Sequence, residues 1–194
     1  MAVARIAVGR CGFSTIADDR RGFGQTRYQT EPYDALEDLR AVTAATGGRP
    51  AVVVGNSTGG ALAIDLALAH PDEVLALVLI GSLPRDAPDE MWQQSAAETA
   101  VEAEFEAAEQ RGDAERVNEV EVRYWLDGPA QPEGRVTGGA PGLAPLAQMM
   151  ATRIPSSQVE EMTATAHCPM LDAPDRLAHH VLAFLDSSGH NRGG

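Results

Sequence analysis

Ser57 sits at the centre of Gly55-Asn56-Ser57-Thr58-Gly59, with the apolar run Ala51–Val54 before it and a helical pattern, Gly60–His70, after it. A serine with glycine two positions away on either side suits one kind of chemistry, nucleophilic attack on an acyl carbon. A strand that turns directly into a helix forces the residue at the join into a strained backbone conformation and holds its side chain out above the strand ends. Gly55 and Gly59 are expected to remove side chains that would clash in so tight a turn. The helix N-terminus behind Ser57 offers N–H groups and a positive dipole end to developing negative charge. The N–H of Thr58 is therefore the expected oxyanion donor, and Asn56 the expected neighbour on the substrate side. A phosphate-binding loop fits less well, because no lysine follows in the Walker spacing. Arg21-Gly22-Phe23-Gly24 carries two of the three glycines of a dinucleotide fingerprint, without its strand–helix context.

The elements that must position this serine can be read from periodicity and punctuation. Phe13–Ala17 is expected to be a short strand, followed by a loop rich in Asp, Arg and Gly. Pro32 is expected in the first turn of a helix through Tyr33–Thr46, whose apolar face is Leu36, Leu39, Val42 and Ala45 and whose end is Gly47-Gly48. Ala51–Val54 and Val74–Ile80 are continuously apolar, as parallel strands buried on both faces are. Strand, helix and strand in that order predict a parallel sheet with right-handed crossovers. Beyond Pro84 the pattern changes to two Ala- and Glu-rich helices, Glu90–Glu109 and Ala114–Trp125, split by Arg111-Gly112-Asp113, with Trp92, Phe105 and Trp125 as apolar anchors. Gly128–Pro145 reads as loop, Leu143–Ile154 as helix, Val159–Met162 as a short strand and Pro174–Leu185 as a last helix. The organisation expected is an α/β core of residues 1–84 and 127–186, a helical cap at 85–126 and a disordered tail at 187–194.

Composition bounds the functions that this organisation can serve. The 194 residues include 28 acidic and 15 basic side chains, a formal net charge of -13, which argues against nucleic acid and against anionic membrane as partners. Hydrophobic residues make up 44%, but none of their runs approaches the ~18 residues of a membrane span. The short apolar start, interrupted by Arg5, does not read as a signal peptide, so the expected compartment is the cytoplasm. Two cysteines, Cys11 and Cys168, supply neither a disulfide framework nor metal-ligand spacing. No metal or cofactor is expected, and the expected partner is a small acyl substrate.

Four blocks occur in an order that resembles the α/β-hydrolase superfamily, in its branch with a helical cap. They are Ile16–Thr26 (IADDRRGFGQT), the VVVGNSTGG elbow, ALVLIGSLP leading to the cap, and AHCPMLDAPDRLAHHVLAFL. In the last block His167, Pro169, Asp172 and Pro174 match the spacing of the family's histidine loop. The resemblance implies an α/β-hydrolase-like, mostly parallel sheet with a reduced number of strands. It also implies Ser57 as nucleophile and His167 as general base, in the family's chain order. The logic is that of an acyl-enzyme: the imidazole takes the serine proton during attack and returns it to the leaving group. Serine at the elbow argues against epoxide hydrolase and haloalkane dehalogenase chemistry, which need a carboxylate nucleophile.

The sequence departs from the family pattern at the acid. No buried strand followed by Asp lies between Trp125 and His167, and no His-Gly oxyanion motif precedes the Ile16–Thr26 block. Asp86 is the candidate for a relocated acid after Val74–Ile80, with Asp127 and Asp172 as weaker ones. Two functions follow. One is a carboxylesterase-like serine hydrolase. The other is an impaired or inactive homologue that binds a small ligand or a protein. An unrelated α/β binding protein is a third, weaker reading.

Overall fold

The computed structural model describes residues 13–28, 30–45, 47–87, 95–128 and 144–190. They fall into two compact units, residues 13–86 and 87–190.

The first unit is a small βαβ layer. Helix α1 spans Ala35–Ala45, β1 Ala51–Asn56, α2 Thr58–Ala69 and β2 Val74–Ile80. β1 and β2 pair in parallel, from Val52 opposite Ala76 to Asn56 opposite Ile80, and α2 is the crossover between them. The core of the unit is the first two turns of α2, where Ala61, Leu62, Ala63, Ile64 and Leu66 are buried around most of the helix. A near-continuous apolar helix of this kind is stabilised by its packing on the sheet, at about 25 cal/mol per Å² of apolar surface removed from water.

The strands were expected to be buried on both faces, and they are not. Val54 and Leu75 are each 53% exposed. Among the described residues the sheet has two strands, so each has one neighbour and part of its apolar surface lies open. Phe13–Ala17, expected as a strand, is irregular backbone, and nothing in the described sheet pairs with it. Its loop is held by side chains instead. Arg21 grips Asp38 of α1 with two hydrogen bonds (Nε–Oδ2 2.6 Å, Nη2–Oδ1 2.8 Å), and Asp19 Oδ2 accepts the Gln25 N–H at 3.0 Å. Pro32 does not open α1. Asp34 does, two residues further on, accepting the Leu36 N–H on Oδ1 at 2.8 Å and so satisfying one of the free N–H groups at the helix start.

The second unit is helical. α3 spans Ala96–Arg111 and α4 Ala114–Val122, and α4 runs on into a wider π-type turn, Arg123–Asp127. Local rules account for this hairpin. Ser95 and Glu98 form a reciprocal capping box, Gly112 closes α3 in the left-handed region at φ 68°, and Asp113 caps α4 by accepting the Arg116 N–H. Glu104 of α3 then pairs with both Arg116 and Arg123, locking the two helices side to side. Of the expected first cap helix, Glu90–Glu109, α3 covers the part from Ala96 on, and 90–94 with Trp92 lie outside the described residues.

Further along are α5 (Ala144–Arg153), a single turn α6 (Pro169–Asp172) and α7 (Pro174–Ser187). Val159–Met162 is irregular rather than a strand. α7 buries Leu177, Ala178, Val181 and Leu185. Of the tail expected at 187–194, residues 187–190 are described: α7 reaches Ser187 and the His190 N–H donates to the Leu185 carbonyl at 3.0 Å, while 191–194 lie outside the described residues. Among the described residues, no helix is long and apolar enough to cross a membrane.

Candidate active site

Ser57 occupies the join between β1 and α2 with φ 53° and ψ -124°. Left-handed φ is rare for a residue with a Cβ, and holding it there costs on the order of 1–3 kcal/mol. Three backbone bonds hold it. The Ser57 N–H donates to the Ile80 carbonyl at 2.9 Å, and the Ser57 carbonyl accepts the N–H groups of Gly60 (2.9 Å) and Ala61 (3.1 Å). The serine is thus pinned to the end of β2 on one side and to the first turn of α2 on the other.

The turn is tight at positions that only partly match the expectation. A Cβ at Gly55 would lie 2.5 Å from the Gly59 carbonyl oxygen and from the Gly60 Cα and N, so Gly55 is required. A Cβ at Gly59 would meet nothing within 4 Å. The crowding falls one residue later. At Gly60 a Cβ would stand 1.9 Å from Ser82 Oγ and 2.4 Å from Ser82 Cβ. Ser82 is itself tied down, donating to the Ile80 carbonyl at 2.9 Å and the Gly55 carbonyl at 3.4 Å. The helix packs this closely because Gly60 is the first residue of α2 that faces the end of β2. The Gly59-Gly60 doublet in the sequence carried that signal.

Thr58 is the first residue of α2, and the first N–H groups of a helix have no carbonyl four residues back to bind. Its side chain is exposed, and Thr58 Oγ1 accepts a long hydrogen bond from Arg20 Nη2 at 3.5 Å. Asn56, half-buried, ends β1 opposite Ile80. Asp86 lies in an exposed turn and takes no hydrogen bond from the described residues of its own unit. Its neighbour Arg85 pairs with Asp65 of α2.

His167 belongs to the second unit. Its loop is held at four points. Thr165 Oγ1 donates to the Met162 carbonyl (2.7 Å), Arg176 to the Thr163 carbonyl (3.0 Å) and the Ala166 N–H to Asp172 Oδ2 (3.0 Å), while the His167 N–H reaches the Trp125 carbonyl (3.3 Å). Asp172 is thereby occupied in fixing the loop backbone. The Trp125 indole lies against the imidazole, with ring centroids 4.6 Å apart at 47°. Burial holds the His167 pKa below the usual histidine value, so the ring is kept neutral and able to accept a proton. Burial, and then the Asp172 carboxylate, push the neighbouring Cys168 thiol up, toward its protonated form. Trp125, expected only as an apolar anchor of the cap, is the residue that seats the histidine.

Among the described residues there is no group of three or more His, Cys, Asp or Glu side chains able to hold a metal ion.

A strand that turns directly into a helix at a serine in left-handed conformation is the arrangement that the G-x-S-x-G spacing led us to expect. The chain belongs to the alpha/beta hydrolase fold family, whose profile matches residues 5–149. It is 43% identical over 70 residues to a pimeloyl-[acyl-carrier protein] methyl ester esterase of Chromobacterium violaceum, a match covering 36% of this chain and 26% of that protein. The enzyme of the same name from Aromatoleum aromaticum is 28% identical over 180 residues, covering 66% of this chain and 71% of the relative. The chain thus spans about a quarter of the first relative and under three quarters of the second. Among solved structures, a thermophilic esterase superposes with a TM-score of 0.51 at 23% identity, over 87% of this chain and 79% of its own. A meta-cleavage product hydrolase superposes with a TM-score of 0.53 at 18% identity, over 86% and 77%. At these identities the structural likeness speaks for the fold.

Proposed function

We propose that the protein is a serine hydrolase acting on an ester or similar acyl substrate. The observation that carries this reading is the conformation of Ser57 at the head of α2, a strained geometry that a plain turn residue does not need. Ser57 Oγ attacks the acyl carbon while His167 takes its proton. The Thr58 N–H, at the positive end of the helix, donates a hydrogen bond to the developing oxyanion. Return of the proton to the departing alcohol leaves an acyl-enzyme, which water then releases with His167 again as base. An ester as the substrate class agrees with the names of the two curated relatives. Specificity is assigned to the cap helices and the turn that follows them. Asp86 serves as the relocated acid. Loss of the acid in such a triad lowers turnover by about 10⁴ while leaving the remaining groups at work.

Labelling with a fluorophosphonate, read by intact-mass spectrometry, tests the proposal. Wild type is expected to gain one adduct, Ser57→Ala none, and Asp86→Asn an adduct at a much lower rate. Absence of an adduct on wild type whose circular dichroism shows it folded would sink the catalytic reading and favour a ligand-binding homologue. Unchanged labelling of Asp86→Asn would remove Asp86 from the site and leave a Ser–His dyad.

A further inference from the structure

Trp125 meets His167 at two points. The His167 N–H donates to the Trp125 carbonyl at 3.3 Å, and the indole and imidazole centroids lie 4.6 Å apart with the planes at 47°. The sequence leaves that carbonyl open to the contact. In a continuing α-helix it would accept the N–H of residue 129, and residue 129 is a proline, which has none. The ring contact comes with the π-type turn. There the Gly128 N–H donates to the Arg123 carbonyl five residues back, at 2.9 Å, one residue more than an α-helical bond spans. The side chains of the turn therefore leave the register of the faces of α4.

The turn is fastened to the hairpin. Arg123, its first residue, pairs with Glu104 of α3, which also holds Arg116 of α4. Tyr124 packs edge to face on the indole, with ring centroids 4.6 Å apart and planes at 77°. Trp125 thus joins the hairpin to the histidine loop. The titratable and charged groups on the elements around the imidazole are Cys168 beside it, Asp172 on α6, Arg176 on α7, and Arg123, Tyr124 and Asp127 on the turn. Asp172 and Arg176 are bonded to the loop backbone, at the Ala166 N–H and the Thr163 carbonyl. Burial is what holds the His167 pKa down, and the indole supplies apolar cover to the ring.

We propose that Trp125 is the positioning residue of the base: it fixes the His167 ring, keeps water off it, and so makes the base depend on the helical hairpin being in place. A histidine on a loop is free to change rotamer unless its surroundings choose one. Here the same residue holds both the backbone and the ring, which leaves the imidazole little freedom to turn. A neutral ring is also the form that can take a proton. The hairpin reaches the base only through the turn, so the Glu104 clamp on Arg123 acts on His167 by way of the indole. That the ring so held is a catalytic base rests on the hydrolase reading; the holding does not.

The test is proton NMR of the His167 imidazole in the full chain across pH ~5–8, with its resonance identified by loss in His167→Gln. Fluorophosphonate labelling is timed beside it at pH ~6 and ~8. Trp125→Ala is expected to raise the imidazole midpoint toward the ordinary histidine value. A higher midpoint protonates the base at the lower pH first, so the ratio of labelling at pH ~8 to labelling at pH ~6 is expected to rise about threefold. Trp125→Phe, which keeps a ring in place, is expected to stay near wild type in both readings. Glu104→Gln loosens the clamp from α3 and is expected to raise the midpoint too. Loss of a carboxylate would by charge alone lower it, so a rise reports the link through Trp125. This variant also decides the matter if Trp125→Ala does not fold. An unmoved midpoint in folded Trp125→Ala, or labelling that falls equally at both pH values, overturns the proposal and leaves Trp125 as packing. An unmoved or lowered midpoint in Glu104→Gln overturns control by the hairpin. The expected midpoints in a wild type that takes no fluorophosphonate would keep the hold of Trp125 on His167 and discard the hydrolase.

Discussion

At the residue scale the decisive feature is how closely α2 approaches the end of β2. Three glycines stand in the elbow, and they are not equivalent. Gly55 faces backbone atoms at 2.5 Å, which cannot swing aside. Gly60 faces the Cβ of a serine that is hydrogen-bonded to two carbonyls. Gly59 faces open space. Gly55→Ala and Gly60→Ala are therefore expected to destabilise by about 1–3 kcal/mol or more, the cost of overpacking. Gly59→Ala should be neutral or stabilising by up to ~1 kcal/mol, since alanine is the better helix former. Urea denaturation followed by circular dichroism separates the three, and a destabilised Gly59→Ala beside an unaffected Gly60→Ala would contradict the packing described. The G-x-S-x-G spacing made the serine legible in the sequence, because strand, serine and helix are contiguous. It misassigned the second glycine because crowding depends on what packs against the first turn of α2, and that neighbour is Ser82, twenty-odd residues away. The role of Trp125 was hidden for the same reason. Its contact with His167 joins distant parts of the chain, and an apolar residue on a helix gives no sign of what it will touch.

At the scale of elements, the helices with chemical end signals were legible and the short strands were not. Arg111-Gly112-Asp113 made the break between α3 and α4 legible, because Gly112 and Asp113 end one helix and cap the next by local hydrogen bonding, whereas the Ser95–Glu98 box before α3 went unread in favour of a start at Glu90. Phe13–Ala17 and Val159–Met162 carry strand-like residues, but a strand exists only by pairing, and neither has a described partner. The capping box also does more than end a helix, since Glu98 is both its second half and a buried carboxylate. Ser95→Ala removes the Oγ that accepts the Glu98 N–H at 3.2 Å. The expected loss is about 1 kcal/mol of stability. Amide hydrogen exchange should localise it, with faster exchange over the first turn of α3 and no change in α7. Uniform acceleration through both helices would mean that the box supports the whole unit rather than one helix end.

At the scale of the whole molecule, charge is the property most fully written in the sequence. With 28 acidic against 15 basic side chains, ion pairing cannot neutralise the chain. Several of the bases are already used in local clamps: Arg21 with Asp38, Arg40 with Glu73 and Glu37, and Arg116 and Arg123 with Glu104. A hydrogen-bonded guanidinium holds the carboxyl pKa down at Asp38, Glu73 and Glu104. All three lie at partly exposed sites, where such pairs contribute little and are screened by salt. The surplus of negative charge repels itself over longer distances. Raising ionic strength from ~0.01 to ~0.1 M shortens the screening length from about 30 to about 10 Å, which removes long-range repulsion before it reaches pairs at contact. The melting temperature at neutral pH is therefore expected to rise with salt over this range, by about 2–4 °C for each kcal/mol of repulsion relieved in a chain of this length. Calorimetric scans at several chloride concentrations would measure it. A melting temperature that falls with added chloride would mean that the arginine clamps outweigh the repulsion. Stability would then rest on a few named pairs rather than on packing of α2 and α7.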